Sequence, residues 1–180
     1  MARLFVALWP PDKLVRAMAS VRWPTVDGRR WTRPERLHVT LRFLGECDTA
    51  DAVAALRQVS FPPVEVTLGP TLARLGRGVV MVPARGADAL AAAVAESTRN
   101  VGQPPPRRRF TGHMTVARFR RDPPSGVWPP EQLPALSASF TASEMALTRV
   151  EPSGAYVNVG CFTLTDEGHP PPGVDELQES

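Results

Sequence analysis

Short apolar runs alternate with proline-rich and glycine-rich breaks along the chain. Arg3 to Leu8 reads as a strand, with Phe5, Val6 and Leu8 supplying core contacts. Pro10-Pro11 ends it and sets Asp12 at a helix start. Leu14, Val15, Met18 and Val21 then recur at helical spacing, predicting a helix that stops near Trp23-Pro24. Val26 to Pro34 reads as a loop with a short strand at Trp31-Thr32, and Trp31 as a packing residue at a lobe edge. Leu37 to Leu44 is a strand closed by Gly45. Thr49 is the expected cap of a helix running through Val59, with Ala52, Val53 and Leu56 on its buried side.

Beyond Pro62-Pro63, Val64 to Leu68 alternates as a half-buried strand should. Leu72 to Leu75 and Val79 to Val82 predict a hairpin around Gly76-Arg77-Gly78. Asp88 to Val101 reads as an alanine-rich helix with Leu90, Val94 and Val101 on one face and Gly102 beyond it. Gln103 to Arg109 is a proline-rich loop ending in three arginines, either a solvated turn or a rim that attracts an anion. Phe110 to Phe119 contains a second central strand, and Arg120 to Ala135 is mostly loop. Phe140 to Val150 and Tyr156 to Leu164 predict a hairpin around Glu151-Pro152-Ser153-Gly154. The reading is an α+β chain with antiparallel-rich sheets and about three outer helices. It forms a single bilobal domain over residues 1–165, followed by a flexible tail over residues 166–180.

Composition narrows this further. The 180 residues, 43% of them hydrophobic, can bury a sizeable core, and the 20 prolines argue against a long helical bundle. No apolar run approaches the length of a membrane span, and the opening strand is broken too early by Trp9-Pro10 for a signal peptide. Cys47 and Cys161, the only cysteines, are expected to be reduced thiols in a cytoplasmic protein. The net charge is +3, carried by arginines with Lys13 as the only lysine. That balance permits a phosphate or nucleic-acid partner without establishing one.

Candidate chemistry lies in a repeat. Two of the three histidines open similar segments, His38-Val39-Thr40-Leu41 and His113-Met114-Thr115-Val116. On strands, each histidine shares a face with the threonine two residues on. Strands brought side by side would build one cleft with two imidazoles and two hydroxyls. A zinc site lacks evident third and fourth ligands, so no metal is expected. No serine or cysteine elbow supplies a nucleophile. Acid–base chemistry fits better, because imidazole both accepts and donates protons near neutral pH. The threonines would donate hydrogen bonds to a phosphate between them. His169, in the tail, reads as incidental.

These segments resemble the two signatures of the 2H phosphoesterases. The wider chain resembles their RNA 2',3'-cyclic phosphodiesterase branch, also called 2'-5' RNA ligases. The likeness runs through Arg3 to Leu8, Arg36 to Glu46, Phe110 to Arg118 and Leu147 to Tyr156. It implies a bilobal, pseudo-symmetric fold around a central cleft. It also implies opening of a terminal 2',3'-cyclic phosphate of RNA or an oligonucleotide to a 2'-phosphate, without metal or other cofactor. By motif order, His38 would be the proton donor to the 3'-oxygen and His113 the acceptor that activates water. Thr40 and Thr115 would hold the phosphate. The residue five after each histidine is also implied to face the ligand: Phe43 to stack on a base and Arg118 to bind phosphate. Simple alternation puts both on the opposite face, so this requires a bulge, strong twist or end effect.

The chain departs from the pattern at two places. Gly112 stands where relatives commonly have proline, which would loosen the start of the second motif strand. Arg42 stands where a small residue is frequent, on the predicted His38 face, where it would add a phosphate contact or narrow the cleft. The expected species is a monomer with no obligatory protein partner and no membrane association. The competing class is a nonenzymatic RNA- or nucleotide-binding module, against which the joint presence of both histidines argues. Ligation of 2'-5' RNA ends is a related activity that would use the same groups.

Overall fold

The computed structural model describes residues 1–21, 29–76, 78–119 and 136–165. The expected tail over residues 166–180, with His169, and the expected loop from Arg120 to Ala135 lie outside them. The described chain runs β1 (Ala2–Leu8), α1 (Asp12–Ala19), β2 (Arg29–Trp31), a 3-10 turn (Pro34–Arg36), β3 (Val39–Cys47), α2 (Thr49–Leu56) and β4 (Val64–Leu68). It continues through β5 (Ala73–Leu75), β6 (Val79–Arg85), α3 (Asp88–Ser97), β7 (His113–Phe119), β8 (Ala138–Ala142), β9 (Glu144–Val150) and β10 (Tyr156–Thr163).

The helices are shorter than the apolar spacing predicts. α1 stops at Ala19, where the Ser20 N–H returns to the Arg16 carbonyl, rather than near Trp23. α2 is capped by Asp48 rather than Thr49. The Asp48 carboxylate accepts from the N–H groups of Ala50 and Asp51 at 2.7 and 3.2 Å, satisfying donors that the first turn leaves free. α3 ends at Ser97, and its neighbour Thr98 turns its hydroxyl back onto the Val94 carbonyl. Val101 therefore lies in a turn rather than on the helix.

The strands form one antiparallel sheet in the order β10-β9-β1-β3-β7-β6-β4-β8, with β2 paired to β7 and β5 to β6. The stretch expected as a single strand over Phe140 to Val150 is two strands. β8 pairs with β4 at one end of the sheet, while β9 pairs with β1 and β10 near the other. Only Ser143 separates them. Two residues of chain span at most ~7 Å, so the two ends of the sheet must approach each other. The sheet is curled.

The helices cover the outer face of this curl. Leu14 and Met18 of α1 face Leu68, Val82 and Met114 across a small apolar cavity. On β6, Val80, Val82 and Ala84 are buried toward the same core, as Ala117 and Met114 are on β7. One continuous apolar cluster runs from Leu4, Val6 and Leu8 through Val39 and Leu44 to Val80 and Val94. Trp31 packs against it, as its sequence context suggests.

Gly112, expected to loosen the start of the second motif strand, instead allows close packing. A Cβ there would lie 2.3 Å from the Ala84 carbonyl oxygen. The Gly112 carbonyl meanwhile accepts the Ala84 N–H at 2.9 Å. Only a bare Cα fits β6 and β7 this close together immediately before His113. Gly112→Ala should therefore lower the unfolding free energy by about 1–3 kcal/mol, the usual cost of overpacking. Denaturant unfolding measures it, and a change under about 0.5 kcal/mol would show the contact to be slack.

Candidate active site

β3 and β7 are paired through one bridge, Val39 opposite Met114. Both side chains are fully buried on the helix-covered side. Alternation turns the residues flanking the bridge to the other side. Those are His38 and Thr40 on one strand, and His113 and Thr115 on the other. Antiparallel register sets His38 across from Thr115 and Thr40 across from His113. The two motifs are thus related by a local two-fold at the bridge, and all four side chains are half-buried.

Each motif strand then breaks its alternation at the same place. Between β1 and β3, Val6 pairs with Arg42 and Ala7 with Thr40, leaving Leu41 as an extra residue. Between β6 and β7, Val80 pairs with Ala117 and Met81 with Thr115, leaving Val116 extra. Leu41 and Val116 are the fourth residues of the two motifs. A bulge inserts one residue and so reverses the faces of those that follow. Phe43 and Arg118 are thereby carried to the side of their histidines.

Arg42 is carried away from it. The expectation that Arg42 contacts phosphate or narrows the cleft is overturned. Its guanidinium is buried beneath the strand, donating to the Ala95 carbonyl at 2.7 Å, the Thr98 hydroxyl at 2.6 Å and the Gln103 carbonyl at 2.8 Å. The bulge at Leu41 turns it onto the end of α3, where unpaired carbonyls attract a cation.

The imidazoles are oriented in the same way. His38 Nδ1 lies 2.7 Å from the Arg36 carbonyl, and His113 Nδ1 lies 2.7 Å from the Thr111 carbonyl. A carbonyl only accepts, so Nδ1 carries the hydrogen in both rings and Nε2 is left for chemistry. The Phe5 ring stacks on His38 at 4.9 Å, Trp9 lies tilted at 5.0 Å and Tyr156 meets it edge-on at 5.5 Å. Arg36 holds Tyr156 in turn. Its guanidinium lies 5.1 Å over the Tyr156 ring and donates to the Gly154 carbonyl. The Trp9 indole N–H is buried without an acceptor among the described residues.

This surround changes the acidity of His38. Burial pushes its pKa down from 6.5 to about 4, and the positive charges of Arg118 and His113 push the same way. The Arg36 carbonyl offsets part of the shift. His38 is therefore uncharged at neutral pH in the free protein. Phe43 lies at the rim, 41% exposed, with its ring parallel to Phe5 at 6.4 Å and the Arg3 guanidinium 5.1 Å from its centroid. Arg118 is exposed, as are Arg107, Arg108 and Arg109.

Sequence reasoning misses the seat of His38. Phe5 reads as core, Trp9 as the end of a strand and Arg36 only as part of a resemblance. Their convergence depends on the β1–β3 register and the β9–β10 hairpin. Tyr156 carries the one usable signal, its place in the late stretch that resembles the family.

Residues 10–153 match the sequence profile of the 2'-5' RNA ligase superfamily, a span that includes both motif strands. The chain belongs to that superfamily. Among solved structures it is similar to TT0787 of Thermus thermophilus, with 23% identity and a TM-score of 0.70, covering 93% of this chain and 100% of that one. It is also similar to E. coli LigT complexed with 3'-AMP, with 24% identity and a TM-score of 0.73, covering 91% and 98%. LigT in apo form matches at 24% identity with a TM-score of 0.71, covering the same shares. These likenesses carry the fold: the curled antiparallel sheet with outer helices is the 2H phosphoesterase architecture. No curated protein sequence matches the chain.

Titration of His38 followed by NMR should show a midpoint near pH 4 in the free protein. Arg118→Ala should raise it, because one of the depressing charges is gone. A midpoint at or above 6.5 would contradict the burial seen for this ring.

Proposed function

We propose that this 2'-5' RNA ligase homologue hydrolyses terminal 2',3'-cyclic phosphates of RNA or oligonucleotides to 2'-phosphates, without a metal ion. The observation that carries the reading is the matched pair of imidazoles. His38 and His113 flank one bridge, and each is tied through Nδ1 to the carbonyl two residues upstream. Each therefore offers Nε2 to a ligand lying between them.

In this reading water attacks phosphorus as His113 removes its proton. The bond from phosphorus to the 3'-oxygen breaks, and His38 delivers a proton to the departing oxygen. One water is consumed, and a 2'-phosphate and a free 3'-hydroxyl remain. Thr40 and Thr115 donate to the nonbridging oxygens, Arg118 offsets the developing charge, and Phe43 offers a face to a base. E. coli LigT has been crystallised with 3'-AMP, phosphate and ATP, which supports a nucleotide phosphate as the ligand class. Ligation of 2'-5' RNA ends would use the same groups, with a 5'-hydroxyl attacking phosphorus in place of water and the 3'-oxygen leaving as before, and dilute water favours hydrolysis.

A donor must be protonated, yet His38 is neutral at pH 7 in the free protein. Bound phosphate resolves this. Its negative charge opposes that of Arg118 and favours the imidazolium. The pH profile of kcat/KM reports the free enzyme and that of kcat the complex. The group that must be protonated should therefore titrate at higher pH in the kcat profile. Coincident profiles would exclude His38 as the donor.

His38→Ala and His113→Ala, assayed separately on a 2',3'-cyclic-phosphate oligonucleotide in chelator, should each lose about 10²-fold or more in kcat. Full turnover by either variant would end the paired assignment. A product with a free 2'-hydroxyl and a 3'-phosphate would reverse the polarity.

A further inference from the structure

Two arginines stand opposite one another where β2 meets β7. Arg30 pairs in register with Arg118. The neighbouring pair is Trp31 and Ala117, of which Ala117 is fully buried and Trp31 packs on the core. Alternation turns Arg30 and Arg118 together to the other side. The bulge at Val116 has made that the side of His113 and Thr115. Both arginines are exposed, and neither has a carboxylate partner among the described residues.

Like charges placed directly across a ladder repel and weaken the pairing. No carboxylate among the described residues offsets that repulsion, whereas an anion between the two side chains would. Two arginines opposite in register on one face suit a phosphate, which accepts several hydrogen bonds at once. Arg118 is close enough to the histidine pair for its charge to depress the acidity of His38. Arg30 lies farther out. β2 and β3 occupy the same edge of β7, with β3 at Met114 and β2 at Ala117 to Phe119. The strand rise puts the Arg30–Arg118 pair roughly 10–13 Å from the Val39–Met114 bridge. A ligand phosphate at the histidines would leave Arg30 facing the next unit of a longer strand.

We propose that Arg30 forms a second phosphate site that takes the phosphodiester preceding the terminal cyclic nucleotide, with Arg118 reaching between it and the reacting phosphate. Arg30 is then a specificity residue: it makes the cleft favour an oligonucleotide over a mononucleotide. This deepens the reading under Proposed function and rests on the same cleft.

The test compares wild type with Arg30→Gln on two substrates, a dinucleotide ending in a 2',3'-cyclic phosphate and the matching nucleoside 2',3'-cyclic phosphate. Arg30→Gln should raise KM for the dinucleotide about 10-fold, the scale of a lost charged hydrogen bond. KM for the mononucleotide should stay within about twofold. Arg30→Lys should recover part of the dinucleotide loss, restoring the charge but not the fork. Equal losses on both substrates, or none on either, would overturn the site.

A second measurement needs no turnover. Binding of a 3'-phosphorylated hexanucleotide, followed by fluorescence anisotropy across a salt series, should show a slope of log K against log salt that is smaller by about 0.7 in Arg30→Gln. An unchanged slope refutes the contact. If wild type binds with the expected slope yet opens no cyclic phosphate, the hydrolase reading fails while the second phosphate site stands.

Discussion

The Val39–Met114 bridge joins the two halves of the sheet, and the geometry of the cleft depends on it. It buries two apolar side chains outward and so presents a histidine and a threonine from each strand inward. The bridge sits in the second position of each motif, which is why the two His-x-Thr segments meet with two-fold character. The two motif bulges then repeat that symmetry one step farther along. Phe43 and Arg118 reach the cleft for the same reason, although one is aromatic and the other charged.

His38 and His113 share an orientation but not an environment. Each is fixed by a carbonyl two residues upstream. Around His38, Phe5, Trp9 and Tyr156 remove water from the ring, and the nearest charges are positive. The symmetry of the backbone therefore does not extend to the rings packed around His38. Burial keeps the His38 ring uncharged in the free protein, so a nearby negative charge is what would favour its protonated form. Arg36 links the two levels of this device. Its carbonyl selects the His38 tautomer, and its guanidinium holds the hairpin that brings Tyr156.

Much of this was open to sequence reading. Val64 to Leu68 alternates between buried and exposed as its residues imply, and the β5–β6 and β9–β10 hairpins form where their turn residues predict. The motif histidines were legible because the same residue order occurs twice. Arg42 was not legible. Its face depends on a bulge at Leu41, and nothing in Val39-Thr40-Leu41-Arg42 distinguishes a bulged strand from a regular one. The shift of the α2 cap to Asp48 has a similar cause, since Asp48 and Thr49 are both good caps and only backbone geometry chooses between them. The split at Ser143 was hidden too, because β8 and β9 are both apolar and their partners lie far away in sequence. Arg30 reads as one arginine among many until register sets it opposite Arg118.

The curl of the sheet has a consequence for the order in which the molecule can assemble. Leu4 pairs with Arg149, a separation of 149 − 4 = 145 residues. Such pairing comes late in folding, because the chain between must first be closed into a loop. β3, β6 and β7 can associate from nearer segments, so the bridge between the motifs can precede the closing hairpin. The seat of His38 cannot, since Tyr156 arrives only with that hairpin. On a ribosome, Phe5 and Trp9 could reach His38 with the β1–β3 pairing, and the Tyr156 side of its hydrophobic wall would be the last to form. A nascent chain would hold both histidines before the last ring closed over His38.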